Sequence, residues 1–412
     1  MNPVRNFGLK FLGSKNMEQQ NQKISNGVKV AIDIRTLMDA RYSGVSEYAF
    51  NLIKEILRLD NRNEYRLFYN CFGDCASMPE FAGKNVEVIK YNYPNKILNY
   101  LFFKFFNYPK IDKELEADIF FMPHINFIGM SSAGKSLITI HDLSFLRYPE
   151  FFSRRKNFWH KMINVKKLIK RFDYVIAVSE HTKRDIVELC GISPDKIKVI
   201  YPGLGAEFTD IKIAGDKSAA IKRKYDLPDK YILYLGTVEP RKNVDGIIRA
   251  YNQLRTCLPD GQGYELRDYK LVIVGGRGWK SEKIYKELEQ SEFKADIKFL
   301  GYVDAEDKAY LYNSASVFIY PSFYEGFGFP PLEAMASGLP VIASYAASLP
   351  EVAGGAALMV NPYNISELAL AMREVLTDEN LRNKLIKRGL EQAKKFSWEK
   401  TAKEYLEILN SL

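Results

Sequence analysis

From Val28 onward, short apolar runs alternate with longer amphipathic stretches, and the alternation occurs twice along the chain. The first series predicts strands at 28–33, 65–70, 86–90, 118–121, 136–140 and 174–178. A loop through Ser43-Gly44-Val45 and a helix from Ser46 to Arg58 follow its first strand. The second series predicts strands at 231–235, 270–274, 297–300, 317–320 and 340–343. Strands separated by helical crossovers pair in parallel, and the helices cover both faces of the sheet. The expected fold class is therefore α/β, with two Rossmann-like halves joined near 205–225. Ligands of open α/β sheets bind beyond the C-terminal ends of the strands. Two such sheets facing each other would make a deep cleft. No internal repeat of solenoid length is present.

A chain of 412 residues, 47% hydrophobic and 13% aromatic, has core material for about two or three domains. Cys71, Cys75, Cys190 and Cys257 are too few for a disulfide framework, and Cys71 and Cys75 lack metal-site spacing, so a reducing compartment fits. Residues 1–27 are polar with scattered Lys and Arg and have no apolar core of a signal peptide. They read as a disordered extension. The run 98–106 is too short to span a bilayer and is interrupted by Lys104.

The net charge of +9 is unevenly placed. Residues 1–200 hold 31 Lys+Arg against 21 Asp+Glu, whereas 201–412 hold 28 against 29. The surplus points to an anionic partner of the N-terminal half: nucleic acid, membrane or a phosphorylated substrate. Nucleic acid is disfavoured because no reading motif accompanies the charge. Residues 153–171 carry eight Lys/Arg and no Asp or Glu. With Phe158, Met162, Val165, Ile169 and Phe172 at helical spacing, 152–172 reads as one amphipathic helix. Its stripe suits a core, and its basic face suits anionic lipid.

The chemistry concentrates in Tyr324-Glu325-Gly326-Phe327-Gly328-Phe329-Pro330-Pro331-Leu332-Glu333, which follows an apolar strand and opens a small-residue helix. Unpaired N–H groups at a helix start attract anions, and Pro suits the first turn because its missing N–H is not needed there. Paired carboxylates can serve glycosidase acid/base chemistry. The anion-binding loop between Glu325 and Glu333 argues instead for a phosphorylated ligand. A tight turn with Glu333 on a solvated face is the plainer alternative. Gly236-Thr237-Val238-Glu239-Pro240-Arg241-Lys242-Asn243 also follows a strand. Arg241 offers a planar fork and Lys242 a mobile point charge, a pair suited to a diphosphate. The alternative is a solvated basic pair, although cations at a helix start oppose the dipole. Gly275-Gly276-Arg277-Gly278 departs from the dinucleotide G-x-G-x-x-G spacing, leaving close nucleotide approach and a simple tight turn equally open. His141 ends an apolar strand, where both a structural and a cleft role are open. No Asp-x-Asp pair occurs, so a carboxylate-held metal on a nucleotide diphosphate is not expected.

Together these motifs resemble the large retaining glycosyltransferase family four of GT-B fold. Ser179-Glu180-His181-Thr182, Val199-Ile200-Tyr201-Pro202-Gly203, Leu349-Pro350-Glu351-Val352 and Phe396-Ser397-Trp398-Glu399 extend the resemblance over 28–412. It implies an acceptor-binding domain over 28–205, a nucleotide-sugar donor domain over 206–395, and a helix over 396–412 crossing back onto the N-terminal domain. Arg241 and Lys242 would neutralise the leaving diphosphate, and Glu333 would hold the ribose. Glu325 and the amides of Gly326, Phe327, Gly328 and Phe329 would grip the donor sugar. His141 would stand beside it, and Gly275, Tyr302 and Val303 would complete the donor site. Gly44 would approach the phosphates, although Ser43 stands where many relatives have a second glycine.

The implied reaction retains the anomeric configuration by same-face attack. Positioning, charge stabilisation and cleft closure would carry it. No metal or cofactor is expected beyond the nucleotide-sugar co-substrate. Glu-Pro-Arg-Lys-Asn, His-Asp-Leu and Tyr-Pro-Glu look most like bacterial mannosyltransferases of surface-polysaccharide assembly. This favours GDP-mannose as donor and a glycan or lipid-linked acceptor, in the cytoplasm or peripheral on the inner membrane face. The alternatives are a nucleotide-sugar epimerase of the same fold and a non-catalytic glycan- or membrane-binding subunit. The first leaves the basic, aromatic N-terminal half unexplained. The second leaves the intact Arg241, Lys242, Glu325 and Glu333 set unexplained.

Overall fold

The computed structural model describes residues 27–38, 43–73, 78–95, 97–131, 133–208, 215–256 and 264–412. All but Gly27 of the extension expected to be disordered lies outside the described residues. The strands are β1 (Lys29–Asp33), β2 (Glu64–Asn70), β3 (Val86–Tyr91), β4 (Ile119–Met122), β5 (Lys135–Ile140), β6 (Tyr174–Ala177) and β7 (Ile197–Val199). They continue as β8 (Tyr231–Leu235), β9 (Lys270–Val274), β10 (Ile297–Gly301), β11 (Val317–Tyr320), β12 (Val341–Ser344) and β13 (Ala357–Val360). Two sheets result, in the orders β3-β2-β1-β4-β5-β6-β7 and β10-β9-β8-β11-β12-β13. Every neighbouring pair of the second sheet is parallel, as are β1 with β2 and β4, β2 with β3, and β6 with β7. The α/β class with two Rossmann-like sheets is thus present.

The chain divides into two compact units, residues 1–137 with 409–412, and residues 138–408. In the first, Ile32, Phe68, Phe120 and Phe121 are buried with Leu52, Ile53 and Ile56 of the helix Gly44–Leu59. That helix starts at Gly44, two residues before the expected Ser46, because the Ser43 hydroxyl accepts the Ser46 amide, a side-chain cap worth about 1 kcal/mol. In the second unit, the strands of the β8–β13 sheet carry consecutive buried residues, such as Val317-Phe318-Ile319-Tyr320. Such runs mark strands covered on both faces.

Three expectations need correction. The amphipathic helix predicted over 152–172 is two helices, Arg154–Ile163 and Val165–Lys170. Asn164 adopts the left-handed conformation (φ 52°), which ends one helix and caps the next. The break rotates the stripe: Val165, Ile169 and Phe172 are buried, but Phe158 is 62% exposed. Two strands, β7 and β13, were not anticipated, because each is only three or four residues long with a mixed burial pattern. Cys71 is disulfide-bonded, a pairing that four cysteines in a chain of this size did not suggest. Among the described residues, no helix is long and apolar enough to cross a membrane. The run around 98–106 forms a wide helical segment, Ile97–Phe106, with Phe105 and Phe106 exposed.

Candidate active site

In the second sheet the strand order reverses between β8 and β11, which pair directly through Ile232–Val317 and Leu233–Phe318. Such a switch point leaves a crevice, because the loops leaving the two strands turn to opposite sides. The loop after β8 carries Glu239, Arg241 and Lys242, and the loop after β11 carries Ser322, Tyr324 and Glu325. Two motifs about 80 residues apart therefore meet for a topological reason.

The meeting is an ion cluster. Lys242 Nζ donates to Glu325 Oε1 at 2.5 Å and to the Tyr320 hydroxyl at 2.6 Å. Ser322 Oγ donates to the same Glu325 oxygen at 2.5 Å. Arg241 Nη1 reaches Glu325 Oε2 at 3.2 Å and the Tyr324 carbonyl at 2.7 Å, while its Nη2 pairs with Glu239 Oε1 at 2.9 Å. Two cations and two carboxylates give no formal net charge, which makes so dry a cluster tolerable. Burial pushes Glu325 upward, but the Lys242 and Arg241 charges outweigh it and hold the carboxyl at about 2. Burial, with the Arg241 charge beside it, draws Lys242 below its ordinary value against the pull of Glu325. Arg241 is only slightly exposed, and Glu325 and Glu239 outweigh the desolvation and keep it protonated. The second oxygen of Glu239 is buried without a hydrogen-bond partner among the described residues.

Beside the cluster runs the loop 325–328. Ser348 Oγ contacts the carbonyls of Glu325 at 2.9 Å and Phe327 at 2.7 Å. The Gly326 carbonyl accepts from Ser179 Oγ at 2.6 Å and Thr182 Oγ1 at 3.2 Å. In a trans peptide the N–H points opposite to the C=O. With these carbonyls turned toward hydroxyls, the amides of Gly326, Phe327 and Gly328 turn the other way, and they have no acceptor among the described residues. The helix Phe329–Ala336 starts here, with Gly328 in the left-handed conformation (φ 116°) as its cap. Successive unpaired amides at a helix start form a concavity for an anion. Gly326 cannot be larger, because a Cβ would lie 1.8 Å from the His141 carbonyl oxygen.

Glu325, Arg241, Lys242 and the Gly326–Phe329 backbone are thus together, with the His141 backbone against Gly326. The Phe327 ring is buried against Tyr201, Phe329 and Phe396, so only its backbone faces outward. Glu333 is buried and accepts from the Tyr312 hydroxyl at 2.8 Å, so it is not on a solvated face. Gly275 lies against Gly236, whose carbonyl oxygen would be 1.9 Å from an added Cβ, so no larger residue fits there. Val303 is buried, and Tyr302 is half-exposed. Gly44 belongs to the other compact unit, as the first residue of its helix. The sequence assigned no role to Glu239, Tyr320, Ser322 or Ser348. Tyr320 and Ser322 had a legible signal, since they stand at the C-terminal end of a strand where ligands gather.

The model of glycosyl transferases group 1 matches residues 217–392, and that of Glycosyltransferase Family 4 matches residues 42–208. The chain is similar to O-antigen chain mannosyltransferase B of Escherichia coli, 34% identical over 283 residues, covering 68% of this chain and 69% of that one. It is 32% identical over 273 residues to serotype-specific mannosyltransferase WbdA of Escherichia coli, covering 65% of this chain but 32% of WbdA. The chain thus spans about a third of the length of WbdA. Among solved structures, sucrose-phosphate synthase from Thermosynechococcus elongatus has a similar fold, with a TM-score of 0.71 at 20% identity over 93% of this chain and 98% of that one.

Proposed function

Because this chain belongs to glycosyltransferase family 4 and is a hexosyltransferase, we propose that it transfers mannose from GDP-mannose to a glycan or lipid-linked saccharide in surface-polysaccharide assembly. The observation that carries this reading is the Arg241–Lys242–Glu325 cluster beside the unpaired amides of Gly326, Phe327 and Gly328. The mannose and polysaccharide assignments draw support from the O-antigen chain mannosyltransferase B of Escherichia coli. Residues 28–205 serve as acceptor domain, 206–395 as donor domain, and 396–412 as a helix returning to the former.

The incoming diphosphate takes Lys242 and Arg241 as its counter-charges. Glu325, released from Lys242, turns to the hydroxyls of the donor sugar, and Arg241 keeps its bond to Glu239. Glu333, bonded to Tyr312, receives the ribose. The glycosidic C–O bond to phosphate breaks as the acceptor oxygen attacks the same face. The departing phosphate oxygen takes the acceptor proton, and because the new bond forms on the face the leaving group vacates, configuration is retained. Charge developing on the leaving diphosphate is met by Arg241, Lys242 and the loop amides, which are in place before reaction. The absence of an Asp-x-Asp pair in the sequence supports neutralisation by protein rather than metal. We place the protein in the cytoplasm, with the basic segment 153–171 resting on anionic lipid. Gly275, Tyr302, Val303 and His141 complete the proposed site.

A thermal-shift panel tests the donor, because a ligand that binds only the folded state raises its stability. GDP and GDP-mannose are expected to stabilise more than UDP, UDP-glucose or dTDP-rhamnose. Preference for a uridine nucleotide would overturn GDP-mannose, and no response to any nucleoside diphosphate would overturn the donor site.

A further inference from the structure

The segment Ser179-Glu180-His181-Thr182 has no part in the chemistry above, yet it touches the donor loop directly. Ser179 caps the helix Glu180–Cys190 by accepting the Thr182 amide at 3.0 Å. Ser179, Thr182 and Asp185 recur every three residues and so share one helix face. All three are essentially inaccessible to solvent. Each meets the loop after β11: Ser179 and Thr182 at the Gly326 carbonyl, and Asp185 Oδ2 at the Tyr324 hydroxyl, 2.5 Å away. Arg147 Nη2 donates to the other Asp185 oxygen at 2.5 Å, which fixes the carboxylate. The helix start is itself fixed, because Glu351 accepts the amides of Glu180 at 2.9 Å and His181 at 3.0 Å. Glu351 comes from Leu349-Pro350-Glu351-Val352, close in sequence to the Ser348 that orients the rest of the loop.

From this geometry we infer that Ser179, Thr182 and Asp185 are positioning residues that set the peptide orientation of the donor loop. Two hydroxyls hold the Gly326 carbonyl, and so aim the Phe327 amide at the phosphate of the donor. Asp185 holds the Tyr324 ring while the Tyr324 carbonyl holds Arg241, so one helix face fixes both an anion-binding amide and a cation. None of the three touches the ligand. The inference rests on the loop binding a nucleoside diphosphate, as proposed above.

Calorimetric titration of the full chain with GDP, GDP-mannose and GMP tests it, beside steady-state transfer rates. In Ser179→Ala/Thr182→Val, affinity for GDP and GDP-mannose is expected to fall about tenfold, the scale of one or two lost hydrogen bonds. GMP affinity should stay within about twofold, because the more distal phosphate and the sugar are what this orientation serves. Thr182→Ser, which keeps a hydroxyl, should recover most of the loss seen in Thr182→Val. Tyr324→Phe breaks the Asp185 bond without changing shape, and should show the same selective loss if the double variant does not fold. Equal affinities for GDP in wild type and variants, or equal losses for GDP and GMP, would overturn the positioning role. A wild type that binds no nucleoside diphosphate would overturn the donor site itself, and this role with it.

Discussion

Replacing Lys242 by Met separates a catalytic cluster from a structural one. The ammonium is buried and makes two short bonds, to Glu325 and to Tyr320. Removing one member of a buried pair strands the other charge, commonly at a cost of about 3–5 kcal/mol. Here Arg241 at 3.2 Å and Ser322 at 2.5 Å stay on Glu325, so the expected cost is at the lower end, about 3 kcal/mol. Adding Glu325→Gln removes the stranded carboxylate and leaves Arg241 balanced by Glu239. The double variant should therefore return to within about 1 kcal/mol of wild-type stability. Activity should not return. Loss of a contact to the charge developing on the leaving group lowers turnover by about a hundredfold or more. Urea midpoints give the stability, and transfer of labelled mannose from GDP-mannose gives the rate. A double variant that regains both stability and more than about a tenth of wild-type turnover would show that the cluster only braces the loops, since a lost transition-state contact costs far more.

Three further outcomes follow from the same geometry. Glu325 has its carboxyl depressed from an ordinary 4.5 to about 2, so its stabilisation is complete above pH 4.5 and is lost as pH falls toward 2. That difference corresponds to about 3 kcal/mol, and acid denaturation of Glu325→Gln should be correspondingly flatter between those limits. Gly326→Ala puts a methyl 1.8 Å from a backbone oxygen that cannot swing aside, so GDP affinity should fall at least about tenfold together with the thermal midpoint. An unchanged affinity would mean that the loop is not held against His141. Arg154, Arg155, Lys166 and Lys167 are exposed on the basic segment; the wild type should float with anionic but not with neutral vesicles, and reversal of these residues to Glu should abolish that flotation. Flotation that is indifferent to lipid charge in the wild type would refute the membrane contact.

The strands were legible because buried parallel strands leave continuous apolar runs, and eleven of them were placed to within a residue or so. β7 and β13 escaped because three or four residues of mixed burial carry too little periodicity. The helix break at Asn164 escaped because one residue in the left-handed region leaves no mark on an apolar stripe. Glu325, Arg241 and Lys242 stood out by charge beside glycines at strand ends. Ser179, Thr182 and Ser348 did not, because a hydroxyl that binds a carbonyl looks like any other serine or threonine until its partner is known.

The order of strands and helices, and the residue types at their ends, determined by themselves that this is an α/β chain with a glycine-rich loop opening a helix and paired cations at a strand end. Periodicity and backbone chemistry are local properties, so sequence expresses them directly. Only the tertiary structure decided that Glu325 spends its charge on Lys242 and Arg241, that Glu333 is buried against Tyr312, and that a helix about 145 residues away orients the Gly326 carbonyl. Those facts depend on the reversal of strand order between β8 and β11 and on the packing of distant hydroxyls, and neither is encoded within any single stretch of chain.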